Sequence, residues 1–177
     1  MPSPAPEIRL RPWAADDLPL LERLLGDAAM TRYLGGPESP IKLRRLHNDY
    51  LSMRPPMGRM FAIVESDGEE DDAPAAGSVG YWLSDRSGET AWELGCSVLP
   101  EFQGRGIGTR ALTLAPALAW RDAPRPIHAY PSVDNDASNA MCGRAGFRLV
   151  GEVDVEYRPG RPIRACHWVL PAVRQEP

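Results

Sequence analysis

The hydrophobic positions of this chain follow two periods, and the change between them predicts which segments are helical and which are extended. Helical spacing occurs in four segments. The predicted helices begin at Asp16, at Ser39 or Pro40, near Gly106 and at Asn135. The first of them should bury one apolar stripe, which consists of Leu18, Leu21, Leu24, Leu25 and Ala28.

Period-two alternation and short apolar runs predict six to seven strands. These strands cover 8–11, 60–64, 78–83, 91–99, 126–130, 147–157 and 163–170. In the fourth segment, large apolar side chains alternate with small or polar ones, so one face should be buried. The apolar face consists of Trp92, Leu94, Cys96 and Val98, and the opposite face of Ala91, Glu93, Gly95 and Ser97. Gly95 inside this strand indicates a bulge or a close backbone approach.

The order of these elements predicts the fold class. Antiparallel hairpins come first and a strand–helix–strand crossover follows. This order predicts an α/β chain of the α+β type, with a mixed, mostly antiparallel sheet and helices on both faces. One domain should cover 8–171, with a disordered lead at 1–7 and a short tail at 172–177. The charged run 65–72 predicts a solvated loop between the second and third strands.

Composition and charge narrow the functional classes. The chain has 177 residues with 24 acidic and 20 basic side chains. The resulting net charge of −4 gives no electrostatic support for a nucleic-acid partner. No apolar run is long enough to span a bilayer, and the N-terminus lacks the features of a secretory signal. We therefore expect neither a nucleic acid nor a membrane as a partner.

The usage of cysteine, histidine and lysine excludes further kinds of site. The three cysteines are widely spaced and form no CxxC pair, which predicts a reducing cytoplasm rather than a disulfide framework. The three histidines are scattered, which argues against a zinc site. Lys42 is the only lysine and does not form the GxxxxGK[ST] pattern, which excludes a lysine-dependent phosphate loop.

The segment PEFQGRGIGTRAL, residues 100–112, carries the clearest chemical signal. Three glycines precede a predicted helix, and such a segment can hold an anion against backbone N–H groups. Gly106, Gly108 and Ala111 match the dinucleotide fingerprint GxGxxA, which belongs in a tight turn directly after a strand. Here the strand ends near Leu99, well before Gly106, and too little chain remains for the further strand–helix units of a dinucleotide domain.

Read as Gln103-x-x-Gly106-x-Gly108, the same loop resembles the acyl-CoA pyrophosphate loop of the GNAT N-acetyltransferase superfamily. Flanking segments extend the resemblance over most of residues 8–152. LRPWAADDLPLLERLL and MTRYLGGPES are similar to the opening strand and helices of the branch that includes the ribosomal-protein N-terminal (alanine/serine) acetyltransferases. WELGCSVLPEFQGRGIGTRAL is similar to the central strand, loop and helix of that branch, and NDASNAMCGRAGFRLVGE to its N-x-x-S-N…GF segment.

The resemblance implies a GNAT-like fold, with acetyl-CoA as acyl-donor substrate and no metal. The diphosphate site of the family corresponds to Gln103, Gly104, Arg105, Gly106, Ile107, Gly108 and Thr109. The pantetheine arm of the family contacts positions that correspond to Ser97, Val98, Leu99, Asn135 and Asn139. Arg105 is equally typical of a solvated surface side chain, and Asn135 of a helix N-cap.

The resemblance also suggests catalytic residues. Glu93 corresponds to a frequent glutamate of this branch and would deprotonate the amine, directly or through water, or else be a paired structural carboxylate. Cys142 stands where many relatives have a tyrosine, and would either protonate the leaving thiolate or pack as a buried hydrophobe. Ser138, one turn earlier, would bond the CoA sulfur or the nearby backbone.

The predicted function is that of a cytoplasmic GNAT-type N-acetyltransferase, a monomer or homodimer. It would move an acetyl group from acetyl-CoA directly to a primary amine, on a protein N-terminus or on a small molecule. The alternative is a CoA-binding regulatory or structural module without catalytic activity, because Cys142 replaces the tyrosine that serves many relatives as an acid.

Overall fold

A computed structural model describes residues 6–66 and 73–172, which form seven strands and four α-helices. The strands are β1 Ile8–Pro12, β2 Gly58–Glu65, β3 Ala75–Ser84, β4 Ala91–Val98, β5 Ile127–Ala129, β6 Arg148–Arg158 and β7 Arg161–Leu170. The helices are α1 Leu18–Leu25, α2 Pro40–Ser52, α3 Ile107–Asp122 and α4 Asp136–Arg144. This order confirms the predicted sequence of elements. Most of the charged run 65–72 lies outside the described residues.

All seven strands belong to one sheet, in the order β1-β2-β3-β4-β5-β7-β6. Every neighbouring pair is antiparallel except β4 and β5, which run parallel on either side of the α3 crossover. The predicted mixed, mostly antiparallel sheet is therefore confirmed. The strand β6 is irregular near Gly151, where its register against β7 shifts between Leu149 and Gly151.

Helices cover both faces of the sheet, as predicted. Side chains of α3 and α4 pack with one face in the larger core cluster, and side chains of α1 and α2 pack with the other face in a second cluster. Members of the larger cluster include Ile63, Tyr81, Trp92, Ile107 and Ala111. Members of the second cluster include Trp13, Leu21, Leu24, Leu43 and Met60. No helix of the described ranges is both long enough and apolar enough to cross a bilayer.

The first helix is shorter than the apolar stripe predicts. It ends at Leu25, because Gly26 forms its C-cap and Asp27 begins a series of turns through its backbone and side-chain oxygens. Ala28 is exposed in these turns, so its assignment to the buried stripe was wrong. The low helix propensity of Gly26 favours this end point.

The pairing of β3 with β4 decides between the two interpretations of Gly95. The register runs without a break from Gly77 opposite Val98 to Ser84 opposite Ala91, so β4 has no bulge against β3. A methyl group on Gly95 would instead lie 2.8 Å from Cη2 of the Trp82 indole. Gly95 therefore accommodates a side chain from β3, and the regular alternation places Glu93 and Ser97 on the same face.

The strands β4 and β5 separate after two rungs, which leaves one edge of β4 open. Parallel pairing joins Trp92 to Ile127 and Glu93 to His128, and no further rung follows among the residues that the structure describes. β4 nevertheless continues to Val98. The open edge therefore lies directly before the glycine-rich loop.

Hydrogen bonds at the two ends of β4 show which backbone groups face this open edge. The N–H of Trp92 donates to Pro126 on the β5 side, and the N–H of Leu99 donates to Ala76 on the β3 side. Peptide groups alternate in direction along a strand, so those of the even-numbered residues face the open edge. These are Leu94, Cys96 and Val98.

Candidate active site

The glycine-rich loop connects β4 to α3 through a short 3-10 turn, Pro100–Phe102. Gly104 and Gly106 have φ angles of 74° and 78°, in the left-handed region that glycine adopts at little cost. Gly106 is the N-cap residue of α3. Since α3 does not begin until Ile107, the tight strand-to-helix turn of a dinucleotide fingerprint is not formed.

The first turn of α3 has the features of an anion site. Its N-cap makes no side-chain hydrogen bond, and its first turn contains no acidic residue. The first backbone bond of the helix runs from the N–H of Arg110 to the carbonyl of Gly106. The preceding amides therefore point out of the helix toward the loop, where the helix dipole favours negative charge. The amides concerned belong to Ile107, Gly108 and Thr109.

Gly108 has a second role, in the packing of α3. A methyl group there would lie 2.3 Å from Sδ of Met141 on α4 and 3.4 Å from Cγ2 of Val98. Ile107 is 1% exposed and belongs to the larger core cluster. Both residues can therefore contact a ligand only through their backbone. The Cα atom of Gly108 and the side chain of Ile107 pack α3 against the sheet and α4.

The side chains of Gln103 and Arg105 are engaged within the protein. Nε2 of Gln103 donates to the carbonyl of Val98 at 2.9 Å, which ties the loop to the end of β4. Arg105 makes two hydrogen bonds, of 2.7 and 2.6 Å, to the carboxylate of Glu65. Its guanidinium also lies over the ring of Phe102. A ligand that uses Arg105 must compete with Glu65 for it.

The end of β4 places the three residues predicted beside the cofactor arm in different surroundings. Val98 has its peptide groups on the open edge. Ser97 is paired with Ser78 of β3, so its peptide groups belong to the sheet. Leu99 is 2% exposed and packs in the second core cluster.

Both asparagines of α4 make hydrogen bonds inside the chain. Asn135 is the N-cap, and its Oδ1 accepts from the N–H of Ser138 at 3.1 Å. This confirms the N-cap interpretation. Asn139 donates to the carbonyls of Ser132 and Asn135 at 2.8 and 3.0 Å, and its Oδ1 accepts from the indole of Trp168 at 2.8 Å. The two side chains thus fix the turn that leads into α4.

Ser138 and Cys142 lie one turn apart on α4 in contrasting environments. Cys142 is 3% exposed and belongs to the larger core cluster. Burial, with a smaller contribution from Cys166, raises the pKa of its thiol to about 12. Ser138 is half-buried, and its hydroxyl forms no hydrogen bond with the described part of the chain. Of the two groups, the hydroxyl is the more accessible to a bound ligand.

Glu93 is 3% exposed and ion-paired to Arg86, whose Nε lies 3.2 Å from the carboxylate. The guanidinium of Arg86 also lies over two aromatic rings, 5.6 Å from the centre of Tyr130 and 5.5 Å from that of Tyr157. The hydroxyl of Tyr157 donates to the carbonyl of Tyr130 at 2.9 Å. Glu93 therefore belongs to a connected polar and aromatic cluster on the α1/α2 face of the sheet.

Two histidines complete this cluster, and sequence reasoning missed them. Nδ1 of His128 lies 2.7 Å from Nε2 of His167, and the Tyr130 hydroxyl lies 3.3 Å from the same His128 nitrogen. The rings of Tyr130 and His167 stack at 4.8 Å with a 20° interplanar angle. His128 and Tyr130 alternate in the predicted fifth strand, which places them on one face. Their meeting with His167 depends on the β5–β7 pairing, which no local pattern shows.

The connection between α1 and α2 meets the β6–β7 turn on this side of the sheet. Arg158 donates to the carbonyl of Gly36 at 2.7 Å and is ion-paired with Glu38. Arg161 donates to the carbonyl of Gly35 at 3.3 Å. These contacts fix the α1–α2 connection to the end of the β6–β7 hairpin. Within the described ranges, no group of three or more side chains is arranged to hold a metal ion.

Comparisons with known proteins agree with this geometry. A family model described as an acetyltransferase (GNAT) domain matches residues 7–148. The solved structure of a spermidine N-acetyltransferase from Vibrio cholerae, in complex with CoA and spermine, is 19% identical with a TM-score of 0.73. The match covers 92% of this chain and 94% of that chain.

Two further solved structures have the same fold. An acetyltransferase from Salmonella typhimurium, which modifies the N-terminal serine of ribosomal protein L7/L12, is 23% identical with a TM-score of 0.74. It matches over 94% of this chain and 95% of its own. An aminoglycoside acetyltransferase in complex with coenzyme A is 18% identical, with a TM-score of 0.71 and 96% coverage of both chains. A search of curated protein sequences gave no match.

Proposed function

This chain belongs to the acetyltransferase (GNAT) family, and on that premise we propose that it transfers the acetyl group of acetyl-CoA directly to a primary amine. One observation carries the proposal: an uncapped helix N-terminus lies beside an open strand edge. The first feature suits a diphosphate, and the second suits an extended amide-containing arm.

The diphosphate would bind to the loop Gln103–Thr109. Gly104 and Gly106 keep their left-handed conformations without side chains, so the backbone can approach the phosphate oxygens closely. The amides at the start of α3 would donate to those oxygens, with the helix dipole adding to the attraction. Gln103 would hold the loop in place through its bond to Val98.

The pantetheine arm would lie along the open edge of β4. Backbone groups of Cys96 and Val98 face this edge and are of the kind that pairs with the amides of an extended ligand. A backbone N–H there would also polarise the thioester carbonyl and stabilise the oxyanion of the tetrahedral intermediate. Ser97 and Leu99 would support this edge from the sheet and the core.

We propose Ser138, rather than Cys142, as the group that hydrogen-bonds the departing CoA sulfur. A thiol whose pKa is raised to about 12 gives up its proton poorly, and Cys142 is also almost fully buried. Asn135 and Asn139 would act by positioning α4, since their side chains already bond to the turn before it.

Glu93 remains the family-based proposal for the group that deprotonates the amine. Its carboxylate lies on the face where an acceptor would approach, but Arg86 already occupies part of it. A water molecule would therefore have to carry the proton.

The acceptor class is proposed from the activities of the structural relatives, which act on spermidine, an aminoglycoside and a protein N-terminal serine. All three carry primary amines. We further propose a cytoplasmic location, since the three cysteines of this chain are free thiols and suit a reducing compartment. The net charge of −4 does not favour a nucleic-acid partner.

The experiment that tests this function measures CoA thiol release from acetyl-CoA with a panel of amines. The panel contains short peptides with free N-termini, spermidine and an aminoglycoside. We expect release that depends on both the protein and one class of amine, with an acetylated product of matching amount. Thermal stabilisation by acetyl-CoA without any acetylated product would instead favour the CoA-binding module.

A further inference from the structure

Two imidazoles form a close pair on the acceptor side of the sheet. His128 on β5 and His167 on β7 are joined by a 2.7 Å nitrogen–nitrogen contact. Both side chains are only half-buried, so a ligand or a water molecule can reach them. A contact of this length requires one proton between the two nitrogens, with one ring donating and the other accepting.

The pair lies where the chemistry of the proposed function must occur. His128 is the register partner of Glu93 and therefore points to the same face of the sheet. This rung is the last one before β4 and β5 separate. An acceptor amine that approaches a thioester in the gap would pass this imidazole.

The surroundings favour the neutral form of both rings. Burial lowers the pKa of His128 below its ordinary value, and the neighbouring His167 lowers it further, against an opposing effect of Glu89. Burial likewise lowers the pKa of His167. A neutral imidazole at neutral pH has a lone pair ready to accept a proton.

Several other charged or titratable groups face this cluster. Arg86 and Glu89 lie in the β3–β4 hairpin, Glu93 in β4, Tyr130 directly after β5 and Tyr157 in β6. Arg86 and Glu93 neutralise each other through their ion pair. Burial raises the pKa of Tyr130 to about 12, so its hydroxyl stays protonated. The histidines are the groups of this cluster best placed to change protonation near neutral pH.

We propose that His128 is the general base for the acceptor amine and that His167 is its positioning residue. This proposal rests on the proposed acetyl transfer. The ammonium of the acceptor loses one proton to Nε2 of His128, because Nδ1 is engaged by His167, and the resulting imidazolium later releases that proton to solvent. The amine lone pair forms the C–N bond, the C–S bond breaks, and the second nitrogen proton passes to the CoA thiolate.

The substitution His128→Gln tests the base most directly. General-base removal typically costs about 10²-fold or more in rate, so kcat should fall by at least that factor. The KM for acetyl-CoA should stay unchanged, because the diphosphate loop is untouched. The kcat of the unsubstituted protein should also fall as the pH drops through the lowered pKa of His128, and His128→Gln should abolish this dependence.

Two control variants separate this role from a structural one. His47→Gln alters the third histidine, which is buried and accepts a bond from Trp13 of the second cluster, so it should change stability without changing the pH profile. Glu93→Gln should lower kcat less than His128→Gln does. If His128→Gln keeps kcat and its pH dependence while Glu93→Gln loses both, the carboxylate is the base and the proposal is overturned.

The positioning role of His167 has a readout that does not depend on activity. Titration of the imidazole signals by NMR should give both histidines pKa values below 6.5, and His167→Gln should raise the pKa of His128. An unchanged His128 pKa in that variant would rule out the coupling. If the unsubstituted protein acetylates no amine, the proposed acetyl transfer itself is wrong. If the unsubstituted protein is active and His128→Gln is equally active, only the proposed role of His128 as general base is wrong.

Discussion

Gly106 and Gly160 have nearly the same left-handed backbone conformation, with φ angles of 78° and 74°. Only Gly106 lies in the proposed cofactor site. Gly106 caps the helix proposed to hold the diphosphate, whereas Gly160 closes the β6–β7 turn. A methyl group on Gly160 would meet no atom within 4 Å. Valine substitutions at these two glycines should therefore cause similar backbone strain, and only the substitution at Gly106 should also block the diphosphate site.

We expect Gly106→Val to weaken acetyl-CoA binding at least about tenfold, because the side chain would fill the space that the phosphate oxygens need. Gly160→Val carries a similar conformational cost and should bind acetyl-CoA with normal affinity. Titration calorimetry on the two folded variants measures this difference. Equal affinities would show that the diphosphate lies elsewhere.

Ser138 and Cys142 give a second matched pair of residues. Ser138→Ala should lower kcat by about 10- to 100-fold, as expected for a lost hydrogen bond to a developing charge, with little change in stability. Cys142→Ala should lower the free energy of unfolding by about 0.5–3 kcal/mol through lost packing, and leave kcat unchanged. Steady-state kinetics and denaturant unfolding measure both quantities. A lowered kcat in Cys142→Ala with an unchanged kcat in Ser138→Ala would identify the thiol as the acid.

At the scale of elements, the C-terminus of α3 is fixed to the sheet by a buried carboxylate. Asp122 has a 9% exposed side chain and accepts bonds from Arg59 at 2.9 and 3.1 Å and from the Tyr81 hydroxyl at 2.6 Å. Burial alone would raise the pKa of Asp122, but the bonds from Arg59 and Tyr81 outweigh it, so the pKa is lowered. This contact joins α3 to β2 and β3.

The lowered pKa gives a pH dependence of known sign. A carboxylate with a lower pKa in the folded state stabilises the protein above its unfolded pKa, about 3.9, and loses that contribution as the pH falls through the folded value. Asp122→Asn should therefore cost about 1–3 kcal/mol of unfolding free energy at neutral pH and flatten the loss of stability in acid. Urea unfolding at neutral and acidic pH measures both effects. If both proteins lost the same unfolding free energy between neutral and acidic pH, this account would be contradicted.

The elements also show what local patterns can and cannot predict. The alternation in β4 correctly placed Glu93 and Ser97 on one face, because period-two spacing acts directly through the pleat. The stripe of α1 was extended to Ala28, because apolar spacing carries no information on Gly26 as a cap. The pairing of His128 with His167 could not be predicted from local patterns, because β5 and β7 become neighbours only through the topology of the whole sheet.

At the scale of the whole molecule, the family match confirms the sequence-based resemblance and the predicted fold class. The family could be identified from the glycine-rich loop and its flanking segments, because a diphosphate site requires a specific backbone conformation that glycines provide. Which amine accepts the acetyl group depends on side chains from several elements.

The most direct test of the central claim combines the protein, acetyl-CoA and the amine panel in one reaction that is followed by mass spectrometry and thiol release. We predict an acetylated amine and an equal amount of free CoA, and neither product when the protein is left out. Acetyl-CoA alone should also raise the melting temperature, since saturation at about 100 times Kd adds about 2.7 kcal/mol. A protein that shows neither stabilisation by acetyl-CoA nor any acetylated amine would contradict the account.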